Sequence, residues 1–415
     1  MKERFITGLD IGTSYIRVVT GQFNPQDDNF YVIGCGEAPS SGISKGVIVS
    51  IEDAVSAITS CLEQSERMIG SPIERVFVGI SGAQIITQES KGVVTVSRAN
   101  GEIREDDVDR ALQAAQAVAT PPNYEILHVI PKSFTIDNQT GIKDPLGMTG
   151  IRLEVSTQII LGLSSQIKNL TKAVYRTGVE IDDLVLSILA NAESVLTKRQ
   201  KELGVALINI GEASTSVAVF EEGDLLNTFV IPLGSNHLTA DIAIGLRTSL
   251  DVAESIKLEY GQAVSDVVNK KDEINLGDFS DSENESVSLK YVSEIIEARV
   301  EEIFDMVDKE LIKLDRSGLL PAGVVLTGGG AQLPGIIEVA KKRFRLPASL
   351  GLPLNINTAI DKINNLSFTA AIGLAYWGAS TVSHTPAKIF ALPSIKSLSE
   401  LISKIQKWLK NLIRF

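Results

Sequence analysis

Residues 8–19, Gly8-Leu9-Asp10-Ile11-Gly12-Thr13-Ser14-Tyr15-Ile16-Arg17-Val18-Val19, and residues 208–220, from Ile208-Asn209-Ile210-Gly211-Glu212-Ala213-Ser214 to Phe220, follow one plan. In each, an apolar strand runs into a short glycine-and-hydroxyl turn and a β-rich strand leaves it. A unit that recurs this far along a chain predicts two like halves. A third glycine turn stands in 322–335, where a buried apolar strand meets Gly328-Gly329-Gly330 and then a helix start.

These turns have a chemistry. Gly12 lets backbone N–H groups approach an anion closely, and Thr13 and Ser14 add hydroxyl donors. Asp10, at the strand end, is placed to hold the water shell of Mg²⁺, an ion that keeps most of its waters. A flat base and ribose can lie against the side-chain-free backbone of Gly328, Gly329 and Gly330. One such turn is ordinary hairpin chemistry. Three, in this order, resemble the actin, heat-shock chaperone and sugar-kinase superfamily, in which two duplicated halves give the phosphate loops and the second gives the adenosine loop.

At 415 residues, 44% hydrophobic and 22% charged, the chain has the makings of two or three ordinary globular domains. Cys35 and Cys61 form no CxxC pair, so neither disulfides nor zinc are expected, and the usage fits a reducing cytoplasm. Met1-Lys2-Glu3-Arg4 leads into a broken apolar run, which predicts no signal peptide, and no apolar stretch is long enough to span a bilayer. A net charge of −12 argues against general nucleic-acid binding. The charge is uneven: residues 396–415 carry Lys396, Lys404, Lys407, Lys410 and Arg414 against Glu400, a net +4, which leaves −16 on the body.

In chain order, residues 1–81 read as the start of a first α/β domain, with a strand at Phe30–Gly36, a helix from Val47 to Gly70 and a buried strand from Arg75 to Ser81. Residues 82–157 read as an inserted subdomain, with short strands at Val93–Val96 and Glu125–Ile130 around a helix from Glu105 to Val118. His128, in an apolar strand, reads as a structural histidine. Residues 158–203 return to the first domain through a strand at Gln158–Leu163, a helix at Ser165–Gly178 and a crossing segment at Ser187–Thr197. Residues 204–234 and 319–365 form the sheet of the second domain, and 235–318 its helical part. Within 235–318 lie an exposed polar loop at Asn269–Ser288 and a long helix at Tyr291–Leu314. Residues 366–381 cross back, 382–397 form a linker, and 398–415 form a separate helix.

The insert carries a more specific signature. Its closing segment Asp144-Pro145-x-Gly147-Met148-x-Gly150-x-Arg152-Leu153-Glu154, with Ile231–His237, Asp241–Thr248 and Ala253–Gly261, resembles FtsA, the cell-division relatives of actin in bacteria. The resemblance runs from Phe5 to about Trp377. It implies an α/β, actin-like (ribonuclease H-like) fold of two duplicated domains with an inserted subdomain 1C and a C-terminal amphipathic helix. It implies ATP with Mg²⁺, the first phosphate loop being Asp10, Gly12, Thr13 and Ser14, with Asp10 reaching the metal through water. Gly211 and Ser214 fall in the second loop, Glu254 and Lys257 in the pair that reaches ribose and purine, and Gly328, Gly329 and Gly330 in the adenosine loop.

The chain departs from the superfamily pattern at three places. Asn209 stands for a metal-side carboxylate, Glu212-Ala213 for two glycines, and Ser187-Ile188 for the Glu-Pro that orients water in ATP-hydrolysing relatives. Positioning and charge placement carry phosphoryl transfer, so these losses predict nucleotide binding with weak or absent hydrolysis and no catalytic residue.

The resemblance further implies docking of the FtsZ C-terminal tail at Arg299 and Glu302, self-assembly into actin-like filaments, and later division proteins as partners. It places the protein at the division site, on the cytoplasmic face of the inner membrane. From its own residues, 398–415 reads as an in-plane anchor. Leu398, Leu401, Ile402, Ile405, Trp408, Leu409, Leu412 and Ile413 share one helical face, and Lys404, Lys407, Lys410 and Arg414 take the other, toward an anionic membrane surface. Two alternatives remain open to the sequence: a pilus-assembly adaptor of the same fold, and a small-molecule phosphotransferase.

Overall fold

The computed structural model describes residues 5–24, 29–117, 120–280 and 285–383. The apolar-leading strand β1 (Ile6–Ile11) turns into β2 (Tyr15–Asn24) and β3 (Asn29–Pro39), followed by the short pair β4 (Ile43–Ser44) and β5 (Val47–Ile48), α1 (Ile51–Ile69) and β6 (Arg75–Ile80). The helix expected from Val47 begins four residues later because Val47–Ile48 pairs with β4 and Ser50 caps α1, its hydroxyl accepting from the Asp53 N–H at 3.5 Å. Ala54, Ile58, Cys61 and Leu62 bury its inner face against the sheet.

The insert comprises β7 (Ile86–Thr95), α2 (Glu105–Gln116), β8 (Tyr124–Ile136), β9 (Gln139–Ile142) and β10 (Arg152–Leu163), in a sheet ordered β7-β10-β8-β9. The strands are longer than the apolar runs suggest. The segment Gln158–Leu163, expected to begin the return to the first domain, is the second half of β10 and pairs with β7 and β8 through Leu161. The return begins instead at α3 (Ser164–Arg176), which leads to β11 (Glu180–Leu186), α4 (Ser187–Val195) and α5 (Lys198–Leu203).

The second half has β12 (Val205–Ile210), β13 (Thr215–Glu221), β14 (Asp224–Ile231), α6 (Ser235–Leu246), α7 (Leu250–Tyr260), β15 (Glu273–Asn275), β16 (Ser286–Ser288), α8 (Leu289–Lys313), β17 (Val324–Thr327), α9 (Ile336–Phe344) and β18 (Ala348–Leu350). The expected exposed loop at Asn269–Ser288 contains the β15–β16 hairpin, pinned by buried Ile274 and Leu276. The helix expected at Tyr291–Leu314 is α8, whose buried stripe is Val292, Ile296, Val300, Ile303, Val307 and Leu311 with Phe304, while Ile295 and Leu314 are only partly buried.

The chain then regains the first domain earlier than residue 366. β19 (Ile356–Thr358), inside the expected second-domain segment 319–365, pairs in parallel with β3 at Phe30–Val32. α10 (Thr369–Ser383) follows and runs two residues into the expected linker 382–397. The rest of that linker and the expected anchor helix 398–415 lie outside the described residues.

The two halves share a sheet plan. The first sheet is ordered β11-β6-β1-β2-β3-β19 and the second β14-β13-β12-β17-β18. In each, the hairpin (β1–β2, β12–β13) is antiparallel and its first strand takes a parallel neighbour (β6, β17). The crossing helices α4 and α10 join the halves. They touch at Gly373, where a Cβ would come within 1.9 Å of the Ala190 carbonyl oxygen. The insert also reaches the second domain. The Thr87 hydroxyl donates to the Thr228 carbonyl at 3.0 Å, the Gln158 amide to Asn227 Oδ1 at 2.6 Å, and Lys143 pairs with Asp224.

Candidate functional site

Both hairpin turns are closed by the same bond. The Gly12 N–H donates to the Tyr15 carbonyl at 3.1 Å, and the Gly211 N–H to the Ser214 carbonyl at 3.0 Å. The registers agree as well: Ile11 faces Ile16 and Asp10 faces Arg17, as Ile210 faces Thr215 and Asn209 faces Ser216. Thr13 is therefore the counterpart of Glu212, and Tyr15 the counterpart of Ser214. The two turns point toward one another across a cavity of about 530 Å³. Every expected phosphate-, ribose- and adenosine-side residue lines it: Asp10, Gly12, Thr13, Ser14, Gly211, Ser214, Glu254, Lys257, Gly328, Gly329 and Gly330. A larger open hollow of about 700 Å³ lies elsewhere, beside Glu63, Glu66, Glu74 and Glu180, and contains none of these turns.

Asp10 sits at the base of the cleft. Burial lifts its carboxyl above the ordinary range, with the Arg17 charge and the Ser187 hydroxyl pulling the other way. Ser187 opens α4, where the superfamily's water-orienting Glu is expected, and its hydroxyl donates to Asp10 Oδ1 at 3.3 Å. A neutral hydroxyl at that place has no basicity with which to activate water. Asn209 occupies the matching strand end in the second half. Its side-chain oxygen packs so closely on the adenosine-side turn that a Cβ at Gly328, where φ is 86°, would lie 2.1 Å from it.

Glu254 and Lys257 are on α7, one helical turn apart and facing α6. Lys257 donates to Glu254 Oε2 at 2.6 Å and to the Thr239 hydroxyl at 2.8 Å, so the pair also ties α6 to α7. Arg299 is less free than a docking residue. Its guanidinium grips both oxygens of Asp241 on α6, at 2.5 and 2.9 Å, as well as Glu302.

Three cleft side chains make contacts, or lack them, in ways that a one-dimensional reading does not report. Arg17 lines the cavity, bonded to Glu37 at 2.9 Å and stacked over Tyr15 and Phe368. Asn191 on α4 lines it with both amide atoms buried and without a hydrogen-bond partner among the described residues. The Glu212 side chain reaches across to Ser14, whose hydroxyl donates to Oε2 at 2.5 Å. The hairpin register could have revealed Arg17, which faces Asp10; Glu212 stands out in the sequence where the superfamily has glycine, but nothing local marks its partner Ser14, or Asn191.

Duplicated hairpins, facing glycine turns and paired crossing helices define an actin-like protein. Among solved structures, the PilM–PilN type IV pilus biogenesis complex matches at TM-score 0.67 and 16% identity, over 90% of this chain and 98% of that one. MreB5 of Spiroplasma citri bound to ADP matches at 0.53 and 14%, over 92% and 98%. At such identities these share the fold alone. Sequence goes further. The family model "Cell division protein FtsA" matches residues 206–373, and "SHS2 domain inserted in FTSA" matches 82–161, within the insert. The cell division protein FtsA of Pseudomonas aeruginosa is 35% identical over 98% of both chains, and that of Bacillus subtilis 43% identical over 80% of this chain and 75% of its own. The chain belongs to the FtsA family of cell-division proteins.

Proposed function

We propose that the protein binds ATP with Mg²⁺ in the interdomain cleft, assembles on the inner membrane to tether the FtsZ ring there, and helps recruit later division proteins. The observation that carries the nucleotide reading is the convergence of three glycine turns, distant in sequence, on one cavity in an FtsA-family chain. The cleft suits the ligand. Asp10 is a part-buried carboxylate held by one hydroxyl, and Mg²⁺ is bound through one or two carboxylates plus phosphates. The orphaned Asn191 amide offers a donor and an acceptor beside it. Asp10 would hold the hydrated ion, the two turns the phosphates, Glu254 and Lys257 the ribose side, and Gly328–Gly330 the adenosine. The ion would neutralise phosphate charge.

Hydrolysis is slow on this reading, because Ser187 and Asn209 replace the carboxylates that would orient water and metal. The same cleft argues against a phosphotransferase: Glu254 is tied to Lys257 and Glu212 to Ser14, and Asp10 faces the metal position, which leaves no carboxylate base aimed at a substrate. Family membership supports the division role over pilus assembly. The amphipathic sequence of segment 398–415 supports membrane attachment through that segment; no helix among the described residues is long and apolar enough to cross a membrane.

The test is direct. Mg-ATP should raise the melting temperature of the full chain, and the protein should sediment with anionic liposomes and carry FtsZ with it. Trp408→Glu with Leu409→Glu should return it to the supernatant at unchanged thermal stability. No shift with any adenine nucleotide removes the cleft reading; continued sedimentation of the double variant removes the anchor reading.

A further inference from the structure

Thr13 and Glu212 hold matching positions in the two turns but behave differently. The Thr13 hydroxyl turns back into its own domain, accepting from the Gly46 N–H at 3.0 Å. Glu212 turns outward. Its backbone carbonyl is held by the Asn236 N–H at the start of α6, at 2.9 Å, and its side chain crosses the cleft to the Ser14 hydroxyl. A carboxylate thus already occupies a donor of the first phosphate loop and joins the two loops, as a terminal phosphate between them would.

The charges around the cavity reinforce this. Its lining cations are Arg17 and Lys257, and each already has a carboxylate partner, Glu37 and Glu254. Among the described residues, Asp10 and Glu212 have hydroxyl side-chain partners only. A ligand entering here meets more negative than positive charge on the walls, and each added phosphate adds to the repulsion.

We infer that Glu212 is a built-in stand-in for the terminal phosphate, and that it makes the cleft selective for nucleoside diphosphate over triphosphate. A triphosphate has to break the Ser14–Glu212 bridge and leave a carboxylate beside its own terminal oxygens; a diphosphate fits beneath an intact bridge. The inference rests on the nucleotide reading above, and the experiment separates the two.

Titration calorimetry of the full chain with Mg-ADP and with Mg-ATP gives the ratio of the two affinities. In the wild type ADP should bind about tenfold more tightly than ATP, the scale of one solvent-screened charge contact. Glu212→Gln keeps the length and the acceptor oxygen but removes the charge, and should bring the ratio near one by strengthening ATP. ADP binding with a ratio unmoved by the substitution overturns the inference and leaves the nucleotide reading intact. A wild type that already favours ATP overturns it equally. Absence of binding by both nucleotides, in both proteins, removes both readings. Should melting curves show Glu212→Gln to be unfolded, Glu212→Ala, which only shortens an outward side chain, serves the same comparison.

Discussion

Asp10 and Asn209 occupy the same rung of two copied hairpins, one facing Arg17 and the other facing Ser216. The duplication has kept the backbone and changed the charge, so the same position carries a carboxylate in one half and an amide in the other.

Asn209→Asp restores the second carboxylate in nearly the same volume, against the same Gly328 backbone. On the nucleotide reading it should lower the Mg²⁺ concentration needed for half-maximal nucleotide binding by about tenfold, and Asp10→Asn should raise it at least as much. A Mg²⁺ titration followed with a fluorescent adenine nucleotide checks both. Identical magnesium dependence in all three proteins would place the ion elsewhere.

Gly373→Ala should destabilise the chain by about 2 kcal/mol or more, because its Cβ meets a backbone carbonyl of α4 rather than a side chain that can move. Thermal unfolding measures it. A loss below about 0.5 kcal/mol would mean that the crossing helices slide apart freely.

Arg299 and Glu302 should separate in their effects. Arg299→Glu sets a carboxylate against Asp241, so it should lower stability by about 1 kcal/mol or more in addition to any loss of FtsZ-tail binding. Glu302→Lys removes the exposed member of the pair while Arg299 keeps both oxygens of Asp241, so it should weaken the tail peptide's binding at nearly unchanged stability. Peptide titration beside chemical denaturation distinguishes them; a Glu302→Lys variant with unaltered peptide affinity would remove this helix from the docking reading.

The joint between the insert and the first domain carries two opposed titrations. The His128 ring is buried, its Nε2 accepting from the Leu186 N–H at 3.0 Å, and burial pushes it down to about 4 from 6.5. Asp183, bonded to the Trp377 indole at 3.3 Å, is pushed up to about 6, chiefly by burial. The depressed histidine favours the fold above pH 6.5, an effect lost as pH falls through about 4. The raised carboxyl favours it at low pH, an effect lost as pH rises through about 6. Between these values the two offset each other. Asp183→Asn should leave the histidine unopposed, so that stability relative to wild type falls as pH drops from 6.5 toward 4. Denaturation midpoints across that range check it; parallel curves for the two proteins would refute it.

How much of this was legible depends on whether a feature is local. The turns at Gly12 and Gly211 and the stripe of α8 declare themselves through glycine placement and helical period. The cofactor-side residues then fall together because the resemblance supplies their order. β19 was not legible: Ile356–Thr358 is three residues with no pattern of its own, and only Phe30–Val32 beside it makes it a strand. β10 was divided in reading because its apolar second half looks like a new element, although the same neighbours pair with its whole length. The partners of Glu212 and Arg299 lie 198 and 58 residues away, and no spacing rule reports on them.

The insert grows from the first domain yet is fastened to β14 of the second through Thr87, Gln158 and Lys143. Parting the two halves therefore strains a seam remote from the phosphate turns as well as the turns themselves. Work done on that seam is work done on the cleft, and the exchange is equal in both directions. A protein that grasps the insert and loosens its hold on β14 lowers the effort of opening the cleft by the same amount that an open cleft strengthens that grasp. The insert is in this sense the handle of a clamp whose jaws are the two glycine turns.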